Sequence, residues 1–250
     1  MNNTDLFDGY AKAYTTGRPD YARKLIDHMY DTCGISKDST IADIGSGTGK
    51  FAKHLIDRGS EVYCVEPGSD MRQTAEKELS QFANFHSVAG DAENTTLADN
   101  SVDFITTAQA FHWFDVEKFQ KECKRILRPD GKVFLIWNIR DEEDPVNSSM
   151  LGINRKYCPD FHGFGGGIKR DDPRIQKFFD NRYERIAFDH PLFLDKDTFI
   201  ARCLSGSYSL KEGDKNYEEY LAEIERVYEK NSDNGIIRIA NSSVAYIGTL

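Results

Sequence analysis

A glycine-rich turn between an apolar stretch and a helical stretch is the feature that most restricts the fold of this chain. Residues 40–44 are apolar enough to form a buried strand, and a helix is predicted to follow over about 48–58. Between them Gly45, Gly47 and Gly49 are spaced as GxGxG, which permits a tight turn with positive φ. A strand that enters a helix through such a turn is typical of α/β proteins that bind a nucleotide or nucleoside at the helix N-terminus.

Strands and helices alternate along the first 140 residues at the spacing expected for parallel strands joined by crossover helices. Helices are predicted at about 20–33, 48–58, 69–79 and 115–127, and strands at 40–44, 61–66, 84–88, 102–108 and 132–138. Regular structure then resumes with a strand at 183–188, helices near 195–204 and 214–230, and a last strand at 236–247 whose pattern allows a break in the middle. This order predicts a doubly wound α/β sheet with helices on both faces.

Composition narrows the class of protein further. The 250 residues are 39% hydrophobic and 12% aromatic, which is enough for a buried core. Lys and Arg number 32 against 41 Asp and Glu, and no basic run is present, so we expect no nucleic-acid partner. The five cysteines form no CxxC pair and the six histidines lack metal-ligand spacing, so we expect reduced thiols and no metal. Neither a signal peptide nor a membrane span is visible, and we expect a cytoplasmic protein.

An acidic residue follows the glycine turn at a diagnostic distance. Glu66 stands 21 residues after Gly45, at the end of the second predicted strand. A carboxylate at that place can accept hydrogen bonds from both hydroxyls of a ribose. Lys50 occupies the position where a GxGxxG dinucleotide motif has its third glycine. The combination favours nucleoside binding over a glycine turn without a ligand.

Four segments resemble one enzyme family in order and spacing. They are DIGSGTG at 43–49, VEP at 65–67, GDAENTTLADNSVDFITTAQAFHWF at 90–114 and RILRPDGKVFLIWN at 125–138. Together they resemble the class I S-adenosylmethionine (SAM) dependent methyltransferases of the type 11 group. FDGYAKAYTTGRPDY near the start and AQAFHWFD after the fourth strand resemble its trans-aconitate methyltransferase-like branch. The resemblance implies a Rossmann-like seven-stranded sheet in the order 3-2-1-4-5-7-6, with the last strand antiparallel.

The resemblance implies that two groups of residues hold the methionine end of SAM. The first group is the glycine turn and the strand before it, with Asp43, Gly45, Ser46, Gly47 and Gly49. Asp43 would support the turn or reach the amino group of SAM through water. The second group, Ala108 and Gln109 at the end of the fourth strand, would flank the sulfonium.

By the same resemblance, residues after the second and third strands hold the adenosine end. Glu66 would bind the ribose hydroxyls, and Pro67 and Met71 would border the adenine. Asp91 would accept a hydrogen bond from the adenine amino group, and Ala92 would offer its N–H to the ring. From the residues alone, Asp91 also fits a turn, and Met71 at helical spacing also fits the core.

Methyl transfer from a sulfonium is an in-line displacement, so the protein must mainly align the nucleophile and exclude water. A carboxylate acceptor needs no base, whereas a hydroxyl or thiol benefits from one. His112, close to the expected sulfonium, is the candidate base or orienting residue, although most histidines at such a position only pack and hydrogen-bond beneath the turn. Trp113 is predicted to wall the acceptor pocket or to fill the core.

The N-terminal segment is a candidate lid. Tyr10 and Tyr14 fall on one face of an amphipathic helix predicted over 4–16, and they could close over SAM. Arg18 could pair with a carboxylate of SAM or of the acceptor. A helix docked permanently on the sheet would show the same pattern.

We expect one methyltransferase domain over residues 1–250, consisting of a helical lid (1–35), a SAM-binding core (36–140), an insertion that caps the substrate (141–181) and a segment that completes the sheet (182–250). The products would be S-adenosylhomocysteine (SAH) and a methylated small molecule, first of all an O-methylated carboxylic acid, while another small metabolite fits nearly as well. Two alternatives are a non-catalytic SAM-binding regulator, which would have an occluded acceptor pocket, and an NAD(P)-dependent oxidoreductase. The sequence does not decide between a monomer and a homodimer.

Overall fold

Two β-sheets organise the part of the chain that the computed structural model describes, namely residues 19–164, 168 and 170–250. The strands of this part are β1 (Thr40–Ile44), β2 (Glu61–Val65), β3 (Phe85–Val88), β4 (Val102–Ala108), β5 (Leu127–Arg140), β6 (Tyr183–Asp189), β7 (Leu192–Leu194), β8 (Ser232–Asp233), β9 (Ile236–Ile239) and β10 (Asn241–Gly248). The large sheet has the order β3-β2-β1-β4-β5-β10-β6, and β10 runs antiparallel to both of its neighbours. The predicted seven-stranded order with an antiparallel last strand is confirmed.

Helices pack on both faces of this sheet. Those in the described residues are α1 (Arg23–Asp31), α2 (Ala52–Ile56), α3 (Ser69–Leu79), α4 (Val116–Ile126), α5 (Pro145–Tyr157), α6 (Pro173–Phe178), α7 (Lys196–Leu204) and α8 (Tyr217–Asn231). Asp115 and Asp144 begin α4 and α5 by accepting hydrogen bonds from backbone N–H groups of the first turn. None of the described helices combines the length and apolar character needed to span a bilayer.

Alternating side chains of the central strands divide the core in two. Phe134 and Ile136 of β5 lie in a cluster with α1 and α2, whereas Leu135 and Trp137 lie in a second cluster with α4 and α6. This alternation is what a strand buried on both faces requires, because successive side chains point to opposite sides. The two clusters hold β1 and β4 at the centre, with their carboxyl ends at one edge of the sheet.

The segment between β6 and β10 forms a third cluster. Its small sheet has the order β7-β9-β8 and packs with α5, α7 and α8 around Phe199, Tyr220 and Ile224. The last strand predicted over 236–247 is broken at Ala240, and its halves β9 and β10 belong to different sheets. Of residues 182–250, therefore, β6 and β10 join the large sheet, while 192–239 pack against the insertion after β5.

Two boundaries differ from the prediction for local reasons. The helix predicted from residue 48 begins at Ala52, because the turn continues through Gly49 with a positive φ of 77°. The strand predicted over 132–138 extends to 127–140, because β5 takes up a bulge: Val102 pairs with Leu127, but Phe104 pairs with Lys132.

Candidate cofactor and acceptor site

The three glycines after β1 differ in how closely their surroundings pack against them. All have positive φ: 68° at Gly45, 57° at Gly47 and 77° at Gly49. A Cβ on Gly45 would lie 2.7 Å from Ala110 Cβ, and one on Gly49 would lie 2.5 Å from Leu79 Cδ1, so both glycines permit close packing. A Cβ on Gly47 would meet nothing within 4 Å. Gly47 is thus the glycine that leaves room for a ligand.

Glu66 is tied to this turn by its carboxylate. Oε2 accepts a hydrogen bond from the Gly47 N–H and Oε1 accepts one from the Gly68 N–H, both at 2.8 Å. Burial raises the pKa of Glu66, while these two hydrogen bonds act in the opposite direction. Each carboxylate oxygen has further lone pairs, so Glu66 can also accept hydrogen bonds from a bound ribose.

Asp43 lies beneath the turn and is fully buried. Its Oδ1 accepts a hydrogen bond from Thr106 Oγ1 at 2.7 Å, whereas its Oδ2 is buried and has no hydrogen-bond partner in the described residues. Burial raises the pKa of this carboxyl to about 7; the Thr106 hydrogen bond lowers it, and the charge of Glu66 raises it further. A buried acceptor oxygen without a donor is an expected feature of a site whose ligand or bound water supplies that donor.

The predicted adenine-side residues lie after β2 and β3. Asp91 Oδ1 accepts hydrogen bonds from the backbone N–H groups of Glu93 at 2.9 Å and Asn94 at 2.7 Å, and therefore closes a turn. Pro67 is exposed, while the side chains of Met71 and Ala92 are each 4% exposed. The adenine contacts expected of these residues remain predictions.

A cavity of about 310 Å³ opens beside the glycine turn. Seven of the predicted residues line it: Gly45, Ser46, Gly47, Ala108, Gln109, His112 and Trp113. Asp43, Gly49 and Glu66 support the turn from outside the cavity wall. The lid residues Tyr10, Tyr14 and Arg18 lie outside the described part of the chain.

The end of β4 presents Gln109 and His112 to this cavity. Gln109 has a positive φ of 60°. Residues other than glycine seldom adopt this backbone conformation, and those that do are concentrated at functional sites. Its backbone N–H donates to the Ile136 carbonyl at 2.9 Å and fixes this conformation. His112 lies in a single 3₁₀ turn, with its ring 4.9 Å from that of Trp113, which is 38% exposed at the rim.

Two arginines in the cavity wall were missed by the sequence-based prediction. Arg140 ends β5, and its guanidinium stacks 4.2 Å from the centre of the Phe164 ring. Arg202 lies on α7 and is 7% exposed. Burial raises the pKa of the Cys203 thiol to about 11, and the positive charges of Arg140 and Arg202 lower it in part. The position of Arg140 directly after an apolar strand is a signal that could have revealed it, whereas nothing in the sequence pairs it with Arg202.

The residues present fit SAM. Gly47 leaves the turn open towards the cavity, and Glu66 has acceptor capacity for the ribose. Bound SAM supplies the electrophilic methyl group. The sheet order and this site together define the class I SAM-dependent methyltransferases.

Comparison with known proteins gives the family. A family model described as a methyltransferase domain matches residues 42–135. An uncharacterized methyltransferase-like protein of Schizosaccharomyces pombe is 32% identical over 239 residues, which cover 90% of this chain and 84% of the relative. The chain therefore belongs to this methyltransferase family.

Other matches agree with that assignment. An uncharacterized methyltransferase of Mycobacterium tuberculosis is 38% identical over 136 residues, which are 54% of this chain and about half (53%) of the relative. The YcgJ protein of Bacillus subtilis has a crystal structure with a TM-score of 0.59 and 20% identity, covering 90% of this chain and 97% of that one. At this identity the likeness concerns the fold alone.

Proposed function

We propose that this methyltransferase transfers the methyl group of SAM to an oxygen of a small carboxylic acid. The observation that carries the proposal is the placement of Arg140 and Arg202 in the wall of the cavity that the glycine turn and His112 also line. A guanidinium group binds a carboxylate through two parallel hydrogen bonds. Arg140 forms no ion pair with a carboxylate of the described residues, so its charge is available to an acidic ligand.

The cavity supports a small acceptor. Its volume of about 310 Å³, which the methionine end of SAM and the acceptor would share, is at the lower end of ligand pockets, which span roughly 300–1,000 Å³. Phe164, Tyr208 and Trp113 give it aromatic walls that suit a flat carbon skeleton. The resemblance of residues 7–21 and 108–115 to the trans-aconitate methyltransferase-like branch agrees with an acid.

The chemistry follows from the charges. A carboxylate oxygen attacks the methyl carbon of SAM, the C–S bond breaks, and sulfur keeps the electron pair as neutral SAH. No proton moves, so no base is required. A carboxylate bound by two guanidinium groups is a weak nucleophile, because its charge is neutralised. We therefore propose that the best acceptors carry a second carboxylate, which lies near Gln109 and His112 and receives the methyl group.

The first experiment is calorimetric titration with SAM, SAH and NAD in parallel. We expect micromolar binding of both sulfur compounds and none of NAD. Mono- and dicarboxylic acids of three to eight carbons are then tested as acceptors, each beside its amide, and the products are identified by mass as methyl esters. Methylation of dicarboxylic acids but not of their amides supports the proposal. Methylation of amines or phenols, with all acids inert, would overturn the proposed acceptor while leaving the enzyme class intact.

A further inference from the structure

Residues 19–22 pass along the cavity just before α1. Pro19 and Tyr21 line the cavity, and the Tyr21 ring packs edge-on against Phe51 with 5.0 Å between centroids. Asp20 Oδ1 lies 2.6 Å from His54 Nε2, so the same segment is held on its outer side. Residues 19–22 therefore form part of one wall of the cavity, and the position of this wall depends on the side chains that bind these residues.

Two buried polar side chains of the large sheet hold this stretch by its backbone. Asn138 on β5 and Ser243 on β10 are paired across the two strands and are 8% and 0% exposed. The Ala22 N–H donates to Ser243 Oγ at 2.8 Å, and Ser243 Oγ lies 2.6 Å from Asn138 Oδ1, to which it donates. Asn138 Nδ2 donates in turn to the Asp20 carbonyl at 3.0 Å.

Together these hydrogen bonds fix which group of each residue donates and which accepts. Because Ser243 receives the Ala22 N–H, its own proton is available to Asn138 Oδ1, and Asn138 must then turn its amide NH₂ towards Asp20. A hydroxyl and an amide buried between apolar strands are costly unless every group is hydrogen-bonded. The Asn138 and Ser243 side chains are thus satisfied by the Asp20 carbonyl and the Ala22 N–H.

The backbone of Asn138 also contacts the end of β4. Gln109 Nε2 donates to the backbone carbonyl of Asn138 at 3.3 Å, and Gln109 lines the cavity in its left-handed conformation. Asn138 also lines the cavity. One residue therefore contacts both the stretch 19–22 and the residue expected beside the sulfonium.

We propose that Asn138 and Ser243, together the Asn138–Ser243 clamp, are positioning residues whose side chains hold residues 19–22 in the place, relative to Gln109, that methyl transfer requires. In-line displacement is sensitive to alignment, and small misplacements of the reacting groups cost large factors in rate. In the described residues, the hydrogen bonds of the two side chains go to each other and to residues 20 and 22 and not to the glycine turn or Glu66, so we expect the clamp to act on alignment rather than on SAM affinity. This inference depends on the methyltransferase reaction and is independent of whether the acceptor is an acid.

The main test compares Asn138→Ala, Ser243→Ala and the double variant, with the best acceptor from the screen above. We expect each variant to lower kcat by at least about tenfold with the Kd for SAM within about twofold. Because the two side chains act as one unit, the double variant should lose about as much as either single variant. Ser242→Ala is the control, since this neighbour on β10 hydrogen-bonds to Asp189 on the other side of the strand, and it should retain full kcat.

Two results would overturn the clamp. One is an unchanged kcat in folded Asn138→Ala. The other is a loss of SAM affinity as large as the loss of kcat, which would indicate general damage to the fold.

A measurement on the unaltered protein covers the case in which a variant fails to fold or no acceptor is found. The Ala22 amide should exchange with solvent deuterium at least about a hundredfold more slowly than an unstructured amide, because its proton is held by buried Ser243. Binding of SAH should leave that protection in place. Exchange of Ala22 at the unstructured rate would refute the clamp, whatever the acceptor proves to be.

Discussion

Asp43 Oδ1 accepts a hydrogen bond from Thr106 Oγ1 at 2.7 Å beneath the glycine turn, while Oδ2 of the same carboxyl is buried with no partner in the described residues. One oxygen of the carboxyl group thus has a hydrogen-bond donor and the other has none among the described residues. Burial raises the pKa of Asp43 to about 7, so the group changes charge near neutral pH. A ligand that carries a positive charge, as SAM does, favours the ionised form.

Asp43→Asn should separate stability from cofactor affinity. The pKa of Asp43 is higher in the folded protein than its ordinary value of 3.8, so the folded state binds this proton more tightly. Its contribution to stability is full below about pH 4 and is lost as the pH rises to about 7, by roughly 2–4 kcal/mol. We expect SAM-free Asp43→Asn to unfold at a higher temperature than the wild type above pH 7 and to bind SAM more weakly. Thermal unfolding from pH 5 to 9 tests this, with exposed Asp38→Asn as the control, and equal stability of wild type and Asp43→Asn at pH 8 would contradict it.

Glu66→Ala should weaken SAM binding by roughly 1–3 kcal/mol, because the ribose loses a charged hydrogen-bond acceptor and the Gly47 and Gly68 N–H groups lose theirs. The matched control is Glu61→Ala at the other end of β2, where the carboxylate pairs with His86. Calorimetry with SAH measures both variants. Wild-type affinity in folded Glu66→Ala would remove Glu66 from the cofactor site.

Arg140→Met and Arg202→Met should each raise KM for the acid by about tenfold or more, since each removes a charged partner of the carboxylate at nearly constant side-chain volume. Neither residue is among those predicted to hold SAM, so the Kd for SAM should stay within about twofold. Arg128→Met, at the opposite end of β5 and paired with Asp103, serves as the control. Initial rates at varied acid concentration decide, and an unchanged KM in both variants would mean that the acid binds elsewhere.

His112→Gln should lower kcat for a carboxylic acid without changing the shape of its pH profile, because a carboxylate needs no base. Glutamine keeps a hydrogen-bonding group at the rim but cannot take up a proton at neutral pH. The profile is measured from pH 5.5 to 9, beside that of His86→Gln on the far edge of the sheet. If the acidic limb of the profile disappears in His112→Gln alone, His112 is a base and the acceptor loses a proton.

Glu122→Gln should destabilise the protein at pH 7 by roughly 1–2 kcal/mol and loosen the turn that holds Asp91. Burial raises the pKa of Glu122, but the Arg125 and Thr95 hydrogen bonds outweigh it and lower the pKa to about 2. A lowered pKa contributes stability above its ordinary value of 4.5, and that contribution is lost as the pH falls towards 2. The difference in unfolding free energy between wild type and variant should therefore shrink below about pH 4. Urea unfolding at pH 7 and pH 3 measures it, with exposed Glu117→Gln on the same helix as the control.

The positions of the residues predicted to bind the cofactor could be read from the sequence because they depend on short-range order and strand order. The turn from Gly45 to Gly49 lies within one strand–turn–helix unit, and Glu66 ends the strand that pairs with β1. His112 follows β4, which also pairs with β1, so parallel topology brings it to the same edge. Each of these placements follows from strand order alone.

The side of the cavity that we propose for the acceptor could not be predicted in this way. Arg202 reaches the cavity through the packing of α7 in the third cluster, and no periodic pattern connects it with Arg140. The pairing of Asn138 with Ser243 depends on the register of an antiparallel strand after the break at Ala240. Asp91 closes a turn with its Oδ1, a role that the sequence also allowed, and its contact with the adenine stays a prediction.

The third cluster has a consequence for the history of this enzyme. The residues around Phe199, Tyr220 and Ile224 are buried among themselves, apart from the two clusters that stabilise the large sheet. Substitutions there reshape the wall that carries Arg202 and Tyr208 without touching the groups beneath the glycine turn. On the proposed function, evolution could therefore exchange one acceptor for another while the residues that hold the cofactor stay unchanged, and a library confined to residues 192–239 is the corresponding route for engineering.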